Sequence, residues 1–316
     1  MTAAQHASRR LSPTAFLGTD IRGCDSLSDA LRTSGLDWGI KEHTADSITL
    51  MGDDGLTSTS IPNRKLLLRS DNHITLGVVG QRYQPVDNAS AFGMADVAHR
   101  LGAQFAYAGE LDHGRTTFLE MTLPEATVNV GGNDLVQTSL VFTTNHAGGG
   151  GITGEVRLTR EICTNGMRGV MGTPATWNIR HTFSADSRLE LAEDSLQHAT
   201  RHAKEFAAVA DSMISTPMTN REFEGVINAL FPQPDADDSP RKHTAWQTRR
   251  DQLMGLFRAA ETQEDGRNTA WAGYNAVMEW LDWYRIARGG DDGRALRNFN
   301  STDDVLGNKA FQLIAV

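Results

Sequence analysis

A chain of 316 residues with 39 acidic and 30 basic side chains has a formal net charge of −9. That excludes a protein whose whole surface serves as a counter-ion for nucleic acid, although a local basic stripe on an acidic body stays compatible with it. Hydrophobic residues make up 39% and charged residues 22%, the usage of a folded protein with a sizeable core. The two cysteines, Cys24 and Cys163, lie far apart without a partner at metal spacing, which fits a reducing compartment and excludes a disulfide framework. No run approaches the ~18 apolar residues of a membrane span and no leader-like apolar run is visible, so a cytoplasmic protein without membrane contact is expected.

Residues 1–24 are polar and punctuated and are expected to form a loose arm. A short helix follows, with Leu27 and Leu31 on one side and Ser26 as its N-cap. Short strands are expected at 47–52, 65–70 and 73–79, separated by turn chemistry. Pro85 interrupts the pattern, and 88–102 has helical spacing with a stop at Gly102. Alternating runs around Asp112-His113-Gly114 and around Gly131-Gly132-Asn133-Asp134 predict two hairpins, and 151–166 reads as a further strand.

From residue 186 the period changes. Leu189, Ala192, Leu196, Ala199, Ala203, Phe206, Ala210 and Met213 are spaced three and four apart, a seam that seeks either another helix of this chain or a second copy. Pro217 ends it, Thr219 and Glu222 form a capping box, 232–240 is a loop, and helices are expected at 241–261, 268–288 and 302–314. The fold class is therefore α+β, a central antiparallel sheet with an inserted helix and a C-terminal helical region. The division is 25–184 for the sheet domain and 185–316 for helices packed on it.

The window 157–188 contains five arginines against Glu161 and Asp186, the main basic island of the chain. Arg157, Arg160, Arg168, Arg180 and His181 are placed to meet phosphate, for which arginine is the bidentate ligand of choice. Trp177 or Phe183 would stack on bases. The bland alternative is that these arginines pair with acidic side chains elsewhere in the chain. The glycines of Asn145–Gly151 lack the Lys-Ser/Thr and helix of a phosphate loop and read as a connection between strands. His198 and His202 have a metal-compatible spacing but no third ligand, and read as a solvated face. Cys163 has no histidine placed to activate it and reads as a buried or turn-capping residue. Nothing demands catalysis, a cofactor or a metal.

The run Leu76–Asn88 with Ala91-Phe92 resembles the signature of a phage- and plasmid-associated family known as domain of unknown function 932. Gly35-Leu36-Asp37-Trp38, Ile162–Gly166, Thr269–Val277 and Leu281-Asp282 continue the likeness over about 25–316. The tetraglycine at 148–151 and the acidic loop at 232–240 depart from it. The resemblance implies a mobile-element context in a bacterial host cell and lends no catalytic residues. Its order of elements is similar to that of single-strand annealing proteins, a likeness at the level of fold alone. The expectation is a non-catalytic, homo-oligomeric protein that binds or anneals single-stranded DNA. A protein-binding assembly or anti-defence factor and an enzyme with an unfamiliar site stand beside it.

Overall fold

The computed structural model describes residues 11–52, 55–148, 151–168, 171–179, 185–300 and 305–315. Helix α1 (Pro13–Leu17) begins at Ser12, whose hydroxyl accepts from the Ala15 amide at 3.2 Å, and the two-residue strand β1 (Thr19–Asp20) joins the main sheet beside Ala108 and Tyr107. Ile21 is fully buried. Residues 11–24 are thus docked rather than loose, while 1–10 lie outside the described residues. Helix α2 (Leu27–Ser34) has the expected Ser26 cap and ends at Gly35, whose φ of 70° is the left-handed turn that glycine enters without penalty.

The next three strands are a departure. β2 (Ile40–Gly52), β3 (Gly55–Arg69) and β4 (Thr75–Gly80) form a separate three-stranded antiparallel sheet in that order, with its own small core of Trp38, Leu67, Leu76 and Val79. Sequence reading assigns 65–80 to the main sheet and breaks 40–69 into short pieces. The expected strands at 47–52 and 65–70 fall inside β2 and β3; the stretches between them are missed because they are polar, rich in threonine and serine and interrupted by Pro62, so no apolar alternation marks them as strand.

Short helices α3 (Asn88–Ala91) and α4 (Ala95–Arg100) lead into the main sheet. Its strands β5 (Gln104–Leu111), β6 (Thr116–Thr122), β8 (Asp134–Asn145) and β9 (Ile152–Arg160) pair antiparallel in that order. β1 and β10 (Gly166–Met167) lie at the two ends, β7 (Val128–Val130) pairs with β8, and β11 (Thr176–Ile179) with β9. Both hairpins turn where expected, at Asp112–Gly114 and at Gly131–Gly132.

Helix α5 (Ala185–Ser215) lies on this sheet. Ala192, Ala199, Ala203, Phe206, Ala210 and Met213 are all at most 2% exposed, so the seam is consumed inside the chain. Its partners are β7–β9 as well as the helices α4 and α8, and Leu189, which opens the seam, is 44% exposed. The capping box forms at the start of α6 (Asn220–Leu230). α7 (Pro240–Ala259), α8 (Ala270–Glu279) and the π-helical turn Trp280–Tyr284 follow. A helix that periodicity misses, α9 (Gly290–Phe299), covers the opposite face of the sheet, where Phe299 packs on Phe118 with ring centroids 4.9 Å apart. α10 (Val305–Ile314) completes the helical layer.

Replacing Ala199 and Ala203 together with Glu places two carboxylates where no water reaches, at a cost of several kcal/mol each. The expected result is loss of the cooperative thermal transition in circular dichroism. A folded double variant would show that α5 does not need that face covered.

Candidate functional site

The basic island turns inward. Arg160 is 1% exposed, and its guanidinium grips Asp134 through Nε at 2.7 and 2.8 Å and through Nη2 at 2.6 Å. Trp271 donates its indole N–H to the same carboxylate at 2.7 Å. Arg168, 6% exposed, pairs with Asp282, while its backbone N–H donates to the Tyr274 hydroxyl at 2.6 Å. Arg157 pairs with Glu155 at 2.7 Å, donates to the Phe299 carbonyl at 2.7 Å and lies over that ring. A cavity of about 60 Å³ touches Arg157, Arg168, His202 and Asp282, room for water rather than for a nucleotide. Trp177 is wedged between Gly154 and His198, with its ring centroid 4.3 Å from the imidazole. Arg180, His181 and Phe183 lie outside the described residues. For Arg157, Arg160, Arg168 and Trp177 the expectation of an open phosphate and base surface is corrected. Carboxylates reach the guanidiniums first, because desolvating an arginine without a counter-charge is prohibitive.

Other expectations fare variously. His202 is 4% exposed and its Nδ1 lies 2.7 Å from the Thr173 carbonyl, while His198 contacts the Pro174 carbonyl at 2.6 Å. The pair therefore fastens 173–177 to α5 rather than facing solvent. Cys163 is fully buried in the turn after β9, beside Asn165 and Arg160, and burial pushes its thiol up to about 11, far from nucleophilic. The glycine-rich stretch connects β8 to β9 as expected, though Gly149 and Gly150 lie outside the described residues.

A second polar cluster joins two of the motifs. The Asn88 side-chain carbonyl accepts from Thr117 at 2.8 Å and from His146 Nε2 at 2.9 Å, and its amide donates to the Leu36 carbonyl at 2.9 Å. His146 is 2% exposed under the edge of Trp38, and burial pushes its imidazole down to about 4. Arg69 lies over the Trp38 ring at 4.4 Å and pairs with Glu110 and Asp71. This cluster anchors the small sheet to the large one.

The helical region holds an open cleft. It arises where α6 ends at Phe231, α7 runs back past it, and α8 widens into the π-turn. Trp246 donates to the Phe231 carbonyl at 2.9 Å, Trp280 donates to Gln252 at 2.9 Å, and the Arg285 amide closes the π-turn on the Trp280 carbonyl at 2.8 Å. These bonds fix a cleft of about 480 Å³ lined by Phe231, Arg249, Gln252, Trp280, Tyr284 and Arg285 together with Ile286 and smaller side chains. None of its described lining residues is acidic. The Arg249 guanidinium lies 4.7 Å from the Phe231 ring and 5.6 Å from that of Trp280. Its Nε is buried without a hydrogen-bond partner, and it forms no ion pair among the described residues. Burial, reinforced by the nearby Arg285 charge, holds its pKa below the ordinary arginine value. Its neighbours on α7 are engaged, Arg250 with Glu224 and Asp251, and Lys242 with Asp238. Tyr284 is 40% and Ile286 95% exposed at the mouth. Sequence reading passes over this site. The signal was the run Arg241-Lys242-His243 to Arg249-Arg250 with Trp246 inside it and Asp251 as its one acid, on a helix taken as packing.

A family model described as Domain of unknown function (DUF932) matches residues 75–301. No curated protein and no solved structure matches the chain.

Two outcomes follow from the buried polar groups. Arg160→Lys keeps the charge but not the fork that holds Asp134, and should cost roughly 3–5 kcal/mol in urea unfolding; an unchanged midpoint would show that the pair is not structural. His146 is neutral in the fold down to about pH 4 and takes its proton near 6.5 when unfolded, so the unfolded state binds more protons between those values. Stability should hold above about pH 6.5 and fall toward pH 4 by roughly 3 kcal/mol from this group. His146→Gln should flatten that slope, and an equally steep slope in the variant would assign it to other groups.

Proposed function

The chain belongs to the DUF932 family, and within the matched span we propose that the Arg249 cleft binds single-stranded DNA, in keeping with a role in DNA metabolism. The observation that carries this reading is a cationic guanidinium set on two aromatic rings, with an unsatisfied donor and no carboxylate partner among the described residues, at the edge of a solvent-open cleft. Buried donors without acceptors are uncommon in folded proteins, and a phosphate oxygen is an acceptor of the charge and geometry that arginine prefers.

The cleft also has an apolar side. Tyr284 and Ile286 offer a half-exposed ring and an exposed aliphatic face beside the arginine, the pairing of charge and stacking platform through which single strands are held. A base within a duplex is already stacked and paired and cannot enter such a cleft, which favours a single strand over a double one. The net charge of −9 does not oppose this, because the field at a cleft is set by the charges lining it. The role is binding, without a catalytic step.

Fluorescence anisotropy with a labelled single-stranded oligonucleotide between 50 and 200 mM salt tests the proposal. Affinity should fall steeply with salt. Arg249→Ala should weaken binding about tenfold and reduce the slope of log K against log salt by about one, with its circular dichroism unchanged. Salt-independent binding, or an Arg249→Ala variant that binds like the wild type, would overturn it.

A further inference from the structure

We propose that a second cleft, adjoining the Arg249 cleft, is a base subsite for the neighbouring nucleotide and selects bases that present an exocyclic amino group. The proposal rests on the reading of the Arg249 cleft as a single-strand site.

The second cleft, of about 350 Å³, lies between the loop that follows α6 and the N-terminal half of α7. Ala245 and Arg249 line both clefts, so the two adjoin along α7 at the arginine. Lys242, Ala245, Trp246 and Arg249 follow one another at the three- and four-residue steps of one helix face, and all four line the second cleft. Trp246 is half-buried, and its bond to the Phe231 carbonyl fixes the position of its ring.

The opposite wall is held in place before any ligand arrives. Pro232 and Pro234 each lock a φ angle of the loop. Asp235 and Asp238 close a turn twice. The Asp238 N–H donates to the Asp235 carbonyl at 2.9 Å, and the Asp235 N–H donates to the Asp238 carboxylate at 3.1 Å. Lys242 takes the other oxygen of that carboxylate, and His243 Nε2 lies 3.1 Å from the Asp235 carbonyl. The Asp235 side chain, by contrast, has no partner among the described residues, which leaves a fixed and free acceptor on this wall.

These charges decide which part of a nucleotide enters. The two aspartates repel a phosphate while Arg249 attracts it, so the phosphate stays at the arginine and the adjoining base turns into the cleft. There a carboxylate can only accept. Cytosine and adenine offer it an amino group and guanine offers two N–H groups, and the pairing of an acidic side chain with the cytosine amino group is an established readout. Thymine has a single N–H set between two carbonyl oxygens, which a carboxylate meets with repulsion. The Arg249 cleft has no acid among its described lining residues and takes no part in this choice.

Fluorescence anisotropy with oligodeoxycytidine and oligodeoxythymidine of equal length separates the amino group from backbone charge. At the same salt the full chain should bind the cytosine strand about fivefold more tightly. Asp235→Ala should lower the cytosine affinity to that of the thymine strand and leave the thymine affinity unchanged or slightly raised. Asp235 is exposed, and circular dichroism checks that the variant folds. Equal affinity of the wild type for the two strands, a preference that survives Asp235→Ala, or a variant that weakens both strands alike would each overturn the subsite. Any of these leaves the reading of the Arg249 cleft standing if Arg249→Ala still weakens both strands. A wild type that binds neither strand overturns that reading and the subsite with it.

Discussion

The ion pair between Arg160 and Asp134 organises the centre of the molecule. It joins the last residue of β9 to the first of β8, and through the Trp271 indole it ties both to α8. A charged pair at 1% and 3% side-chain exposure is tolerated only when nearly every donor and acceptor is met. Here Gln263 and Cys163 also approach the guanidinium, at 3.3 and 3.7 Å. The register of β9 on β8, the turn holding Cys163 and the depth at which α8 lies are set by one geometry. Arg168 and Asp282 repeat the device one strand further on.

These two pairs explain why an arginine-rich window in an acidic protein is a poor guide to its surface. Sequence proximity reports how many cations a segment holds, not how many anions fold back upon them. Asp134 and Asp282 lie 26 and 114 residues from their partners, and no local pattern connects them. A cation that finds no such carboxylate, as Arg249 does not among the described residues, is the more informative one. It was hidden in a helix whose polar and apolar residues share no clear face.

Where local chemistry decides the structure, the sequence was readable. Ser26 and Thr219 start helices, Pro217 stands between α5 and α6, and Asp112–Gly114 turns a hairpin. Each of these depends on atoms within a few residues. The long alternation of three and four along α5 marked a buried face correctly, but periodicity cannot say whether a sheet or a helix covers it. The ribbon of β2 and β3 was only half legible: 47–52 and 65–70 read as strands, but not the length of the hairpin or its separation from the main sheet. Between these pieces the hairpin is polar, so alternation between polar and apolar residues, the usual trace of a strand, does not mark it there. The candidate cleft was illegible because it is made by a π-turn, the end of α6 and the middle of α7, features brought together only once the helices are packed.

The contact between the two sheets is unusually close. A single added carbon at Gly77 would stand 2.6 Å from the Ala147 carbonyl, and one at Gly148 would run into the Val79 side chain. At Gly77 and Ala147 backbone therefore meets backbone, with no side chain between those two residues to act as a cushion. The small sheet is in effect a lever arm whose fulcrum is the start of the β8–β9 connection. Torque applied at the distant tip arrives at Ala147 without being absorbed by rotamer changes, and is passed into the two central strands of the large sheet.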